Sequence, residues 1–255
     1  MTLQELDSYF RSILNLEAFE KVDSALNGLQ VGRSSPSAPL KKVGFAVDAC
    51  EESFKAASLW GAEVLCVHHG LYWGKVYPIV GIHLNRLRFL IEKNLALYAI
   101  HLPLDAHPVL GNNAQIAQHL QLTNLKPFGI YKGVAIGIQG EFADSIELSQ
   151  IANLLNGPIS TDLLVLPFGK PRVRTVAIVS GSAASCALEA VEADIDLFIT
   201  GERSHTIYHT CLEGGLNVLF GGHYSTEIGG VKGLAERMSQ DTGIETKFFD
   251  LPTGL

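Results

Sequence analysis

The apolar positions Leu3, Leu6, Phe10, Ile13 and Leu14 recur at the spacing of one helix face, which predicts an amphipathic helix at the start of the chain. Residues 33–39, Arg-Ser-Ser-Pro-Ser-Ala-Pro, break the pattern after that helix and its trailing loop. Beyond the break the periodicity changes. Val43 to Val47 is a short apolar run between turn residues and predicts a buried strand. Glu51 to Leu59 predicts a helix, Glu63 to Val67 a strand, Asn85 to Lys93 a helix, and Leu95 to Ile100 a third strand. Strands alternating with helices imply right-handed crossovers and a mainly parallel sheet.

The same order returns later in the chain. Val176 to Ser180 predicts a strand, Ala184 to Val191 a helix, Ile195 to Ile199 a strand, and a further helix precedes the strand Leu216 to Phe220. The plan of 43–105 is thus repeated over 176–227, at an offset of roughly 120–130 residues, with little identity between the copies. The expected fold class is α/β: two related lobes facing each other, built on mainly parallel or mixed sheets. The first lobe is expected over 1–125 and the second over 126–255. Segments such as Gly133 to Ile138 are expected to add strands to the second lobe. Glu245 to Phe249 is expected to be an edge strand that rejoins a sheet, which allows the C-terminal segment to return to the first lobe.

Composition narrows the function classes. A chain of 255 residues is long enough to bury its own core without disulfide or metal staples. With 47% hydrophobic and 18% charged residues it is not a disordered or fibrous chain. The mean hydropathy of +0.21 is high, so the excess apolar residues should enter sheets covered on both faces or a subunit interface. A formal net charge of −7 argues against broad nucleic-acid binding and leaves only a local contact open. Cys50, Cys66, Cys186 and Cys211 form no C-x-x-C pair and read as reduced, buried thiols. The first residues have no basic and apolar leader pattern, and no stretch approaches the roughly 20 apolar residues of a membrane span. The expected setting is cytoplasmic, with no membrane partner.

Polar residues collect where the predicted strands end, which is where open α/β sheets place their sites. Strand 63–67 runs into His68-His69-Gly70, strand 95–100 into His101-Leu102-Pro103-Leu104-Asp105, and strand 216–220 into Gly221-Gly222-His223. Glu227 follows His223 at i+4, on the same face of a helix that has begun by then. Adjacent His68 and His69 leave the chain in different directions, which suits two neighbouring ions better than one. Imidazoles and carboxylates without thiolate suit zinc, manganese, iron, cobalt or nickel, and suit calcium poorly. Counted by these direct donors alone, two divalent ions would keep a net positive charge. Such a centre attracts an anionic group and activates water near neutral pH. The phosphate-loop pattern is absent; Phe168-Gly169-Lys170-Pro171 lacks its spacing, and Pro171 has no amide to donate.

At these residues the sequence resembles the dinuclear-metal-centre family of GTP cyclohydrolase 1 type 2 homologues, known also through a eukaryotic transcription-factor-interacting member. The matching segments are Asn27 to Gly32, Val67 to Gly70, His101 to Asp105, Gly111-Asn112-Asn113, Thr200-Gly201-Glu202 and Gly222 to Glu227. They span nearly the whole chain in order. It lacks the long central insertion of some relatives and is similar to the short bacterial form. The resemblance implies that His68, His69, Asp105, His223 and Glu227 ligate two divalent metal ions, with Glu227 bridging. It further implies two α/β lobes with the metals between them, and a toroidal homohexamer. His101 reads as a residue that orients metal-bound groups rather than as a ligand. Glu202 and His209 are the candidates for substrate or proton-transfer roles, against a helix-start glutamate and a satisfied histidine. Tyr72, Trp73 and Tyr77 are candidates for an aromatic wall beside the site, with ordinary packing as the alternative.

Two functions follow. One is a metal-dependent hydrolase acting on a nucleotide or a phosphorylated small molecule, with GTP cyclohydrolase chemistry as the family version. The other is a non-enzymatic, metal-binding ring that serves as a scaffold or regulator for a protein or DNA partner.

Overall fold

A computed structural model of the protein describes residues 1–157, 159 and 162–255. These fall into two compact units: residues 1–104 with 231–251, and residues 105–230 with 252–255. The first unit begins with helix α1 (Leu3–Ile13), started by a reciprocal cap in which Thr2 and Glu5 bond each other's backbone amides. The expected stripe is buried at Leu3, Leu6 and Phe10, and Phe10 packs against the ring of Tyr98.

The chain then forms β1 (Gly28–Val31), β2 (Lys42–Asp48), α2 (Glu51–Trp60), β3 (Val64–His69), α3 (Gly81–Glu92) and β4 (Ala96–Ala99). At the far end of the sequence β11 (Glu245–Phe248) joins the same sheet, whose order is β1-β4-β3-β2-β11. Strands β4, β3, β2 and β11 are parallel, as the alternation of strands and helices implies, and β11 occupies the edge beside β2. The antiparallel edge strand β1 lies where the sequence reading has only a loop. Strand β3 also runs two residues further than expected, so His68 and His69 are its last two residues. Ala46, Leu65, Val67 and Leu97 pack against Phe54 and Ala57 of α2 and Leu87 and Leu90 of α3.

In the second unit, the short helical turn α4 (Leu102–Asp105) contributes its last residue, followed by α5 (Asn112–His119) and a long hairpin of β5 (Thr123–Tyr131) and β6 (Val134–Glu147). Then come α6 (Leu148–Leu155), β7 (Leu164–Leu166), β8 (Arg172–Val179), α7 (Ala187–Glu192), β9 (Leu197–Thr200), α8 (Tyr208–Gly214), β10 (Asn217–Phe220) and the start of α9 (His223–Thr242), whose residues from Val231 onward belong to the first unit. The sheet order is β5-β6-β8-β9-β10-β7, with β8, β9 and β10 parallel and the rest antiparallel. The hairpin contains the strand expected around Gly133 to Ile138, but α6 is a helix that the sequence pattern does not predict. The expected helix 184–191 is a 3₁₀ turn over 184–186 running into α7.

Period-2 alternation divides the core of this unit between the two sheet faces. Val176, Ile178, Leu197, Ile199 and Leu219 face α5 and α6. Ala177, Val179, Phe198, Val218 and Phe220 face α7 and α8. Both faces are covered, which accounts for the near-continuous apolar strands. The two units thus share a β-α-β-α-β plan, β2 to β4 and β8 to β10, and the chain is mixed α/β with two sheets. No helix among the described residues is long and apolar enough to cross a membrane.

Candidate metal centre

In the first unit, the carboxyl ends of β2, β3 and β4 bring Asp48, His68, His69 and His101 together. His68 is fully buried and His69 is half-buried. Although they are sequence neighbours on a pleated strand, their ring centroids are 4.8 Å apart. The ring of His101 lies 5.0 Å from that of His68 and 5.7 Å from that of His69. One nitrogen from each of the three falls within 4.8 Å of the others.

The Nδ1 atoms of these imidazoles share a pattern. His68 Nδ1 donates to the carbonyl oxygen of Ile100 at 2.9 Å. His69 Nδ1 donates to Asp48 Oδ1, and His101 Nδ1 to Asp23 Oδ1, both at 2.8 Å. A carbonyl or carboxylate oxygen only accepts, so the proton sits on Nδ1 and Nε2 becomes the basic nitrogen. Asp48 is placed by the strand register, which sets it opposite His69. Asp23 comes from the loop after α1 and is fixed by bonds from the amides of Ala25 and Leu102 and from the Asn27 side chain. Burial alone would raise the Asp23 pKa, but the bonds from His101, Asn27 and Ala25 hold it below the usual carboxylate range.

Trp73 packs edge-on against His101 at 5.0 Å and anchors its indole N–H on the carbonyl of Gly70. Tyr72 and Tyr77 pack on His83 of α3 instead. The three aromatics therefore divide between two places rather than forming one wall.

In the second unit, the carboxyl ends of β8, β9 and β10 carry Ser180, Glu202 and His223. Helix α9 begins at His223, so the i, i+4 spacing places Glu227 on the same face, with His223 Nε2 3.2 Å from Glu227 Oε1. His223 Nδ1 lies 2.7 Å from Glu202 Oε1. Burial alone would lower the His223 pKa, but Glu227 and then Glu202 outweigh it and push it up to about 9. Glu202 is lowered by the bond from His223, assisted by Ser182.

Asp105 and Glu227 are both buried and bring carboxylate oxygens within 4.8 Å of each other. Asp105 Oδ1 accepts from Asn112 Nδ2 at 2.8 Å and from Ser180 Oγ at 3.0 Å. Asn113 Nδ2 donates to the Asp105 carbonyl, and its Oδ1 accepts from the Ser180 amide at 2.7 Å. The Gly111-Asn112-Asn113 segment thus acts as a clamp on Asp105. Gly181, at φ +65°, makes the turn after β8, and a methyl group there would run into the Glu227 carboxylate.

Of the two residues considered for substrate or proton transfer, Glu202 joins this cluster, whereas His209 sits exposed on α8 against Tyr208. Asp23 and Asp48 escape the sequence reading. Asp48 offers a faint signal as a polar residue closing an apolar strand, and Asp23 offers none. The donors are imidazole nitrogens and carboxylate oxygens, a set that fits a divalent transition ion.

Comparison with known proteins gives the following. The profile of the Duf34/NIF3 (NGG1p interacting factor 3) family matches residues 1–253. An Archaeoglobus fulgidus protein named GTP cyclohydrolase 1 type 2 homolog is 46% identical over 255 residues, covering all of both chains. A Treponema pallidum protein of the same name is 43% identical over 288 residues, again covering all of both chains. The crystal structure of TTHA1606 from Thermus thermophilus superimposes with a TM-score of 0.91 at 42% identity, covering all of both chains.

Proposed function

Because this chain belongs to the Duf34/NIF3 family, we propose that His68, His69, Asp105, His223 and Glu227 hold two divalent metal ions, Glu227 bridging them, and that the protein is a metal-dependent hydrolase. Its substrate class is a nucleotide or another phosphorylated small molecule, and the names of its relatives make GTP the first compound to try. One observation carries the reading. The Nδ1 atoms of His68, His69 and His223 are each committed to an oxygen acceptor, the arrangement that orients Nε2 as a metal donor.

A divalent ion supplies Lewis acidity that polarises substrate oxygen and makes water acidic near neutral pH. The chain's own residues do the rest. Asn112, Asn113 and Ser180 hold Asp105 in one orientation, Glu202 does so for His223, and Asp48 for His69. Trp73 packs against the rings of both His101 and His69. Incubating metal-loaded protein with GTP and a panel of phosphoesters tests the reading. Turnover that disappears on chelation supports it, and a fully loaded protein that leaves every compound intact overturns it.

A second reading has its own observation. Val76, Ile79, Val80 and Ile82 form a run of exposed apolar side chains in the first unit, Val76 being fully exposed. Such a run marks an interaction surface, which suits a metal-stabilised ring of six copies acting as a scaffold. Loss of the assembly on chelation, without any turnover before it, selects this reading.

A further inference from the structure

Three carboxylates that are not among the five proposed ligands are each bonded to the Nδ1 of an imidazole: Asp23 to His101, Asp48 to His69 and Glu202 to His223, at 2.8, 2.8 and 2.7 Å. They reach their imidazoles from unrelated places: a loop, the end of β2, and the turn after β9. Nothing local in the sequence produces that coincidence. Asp23 is held by three further hydrogen bonds to its carboxylate and is almost wholly buried, with a side chain 1% exposed. Asp48 and Glu202 remain partly open to solvent, with side chains 37% and 47% exposed.

An ionised carboxylate on Nδ1–H does two things to an imidazole. It fixes the tautomer and the ring plane, and it transfers electron density that makes Nε2 a stronger donor. It also places a negative charge close behind the donor. Counted by direct donors, the first unit would offer an ion only neutral imidazoles. Counted with Asp23 and Asp48, the same cluster carries two negative charges.

We propose that Asp23, Asp48 and Glu202 form an outer carboxylate layer that positions His101, His69 and His223, and that this layer sets the affinity of the chain for divalent ions. The inference rests on the metal-binding reading given above. It adds that affinity depends on residues that do not touch the ion, and that the net charge around the donors is more negative than the ligands alone provide. The centre is thereby built to retain its ions.

The test is Co²⁺ binding to the full chain, read by competition with a chromogenic chelator and by the visible absorption of the bound ion. The variants are Asp48→Asn and Glu202→Gln, which keep shape and remove charge, with the exposed Glu92→Gln at the end of α3 as control. Asp48→Glu tests rescue of the charge. Wild-type protein and the control are expected to bind Co²⁺ with the same affinity and spectrum. The two isosteric variants are expected to reach the same stoichiometry with affinity about 10-fold to 100-fold weaker and with displaced absorption bands, and Asp48→Glu to recover part of the loss. Wild-type affinity and spectrum in both isosteric variants would overturn the carboxylate layer while leaving the metal site standing. Absence of Co²⁺ binding by wild-type protein would instead remove the metal reading itself. Should Asp48→Asn fail to fold, Glu202→Gln decides, since its side chain lies at the surface of its unit.

Discussion

Glu202 Oε1 lies 2.7 Å from His223 Nδ1 after β9 and β10, one strand further along the shared plan than Asp48 and His69, which are bonded at 2.8 Å at the ends of β2 and β3. Both pairs stand at the carboxyl ends of parallel strands, where side chains leave the sheet and face neither core. The common β-α-β-α-β plan thus repeats the setting, neighbouring strand ends, while the acid–imidazole pair itself occupies different strands in the two units.

Metal binding should show as stability. A ligand present at about 100 times its Kd stabilises a folded chain by about 2.7 kcal/mol. For a chain of this length that raises Tm by roughly 5–10 °C. Thermal unfolding is to be compared in chelator and in excess Co²⁺. The account expects a clear upward shift on metal addition, and identical melting curves would contradict it.

Gly181→Ala should damage the centre without touching a donor. The residue has φ +65°, and an added methyl would meet the Glu227 carboxylate. The left-handed backbone costs about 1–2 kcal/mol for a residue with a Cβ. Relief of the clash must then move Glu227. Lower thermal stability together with reduced metal content is expected; a fully loaded variant would show that Glu227 tolerates displacement.

Asp196 gives a pH dependence remote from the metal donors. Its Oδ2 accepts from the amides of Arg174 and Thr175 at 2.9 and 3.1 Å, and Oδ1 faces Lys170. Burial alone would raise its pKa, but these bonds hold it below the ordinary 3.8. A carboxylate lowered on folding contributes stability that is present above the unfolded pKa and is lost as pH falls through the folded value. Asp196→Ala should therefore cost on the order of 1–3 kcal/mol at neutral pH. The gap from wild type should narrow below about pH 4, in urea titrations run at several pH values. A gap that stays constant through acid pH would rule out the ionised carboxylate as its source.

Much of this architecture is legible from periodicity. The strands of both parallel runs are apolar because they are covered on both faces, and the helices between them carry apolar stripes. Several elements are not legible, among them α4, α5, α6 and β1. Helix α6 places Leu148, Ile151 and Leu155 at helical spacing, but it is short and follows directly on the long strand β6. Strand β1 is a four-residue edge strand whose identity depends on its pairing with β4. The residues proposed as donors stand out because imidazoles and acids cluster at strand ends. Asp48 is hidden because its role depends on the register with β3, and Asp23 because it arrives from a loop with no periodic signal. The same limit applies to His209, whose place after β9 resembled that of Glu202 until the helix carried it to the surface.

The central claim is that this chain binds a pair of transition-metal ions through His68, His69, Asp105, His223 and Glu227. Elemental analysis of protein purified without chelator and reloaded with a divalent transition metal tests it most directly. The account predicts close to two equivalents per chain, falling sharply in folded His68→Ala and Glu227→Ala variants. Wild-type protein that stays empty after reloading, or variants that retain the full complement, would contradict it.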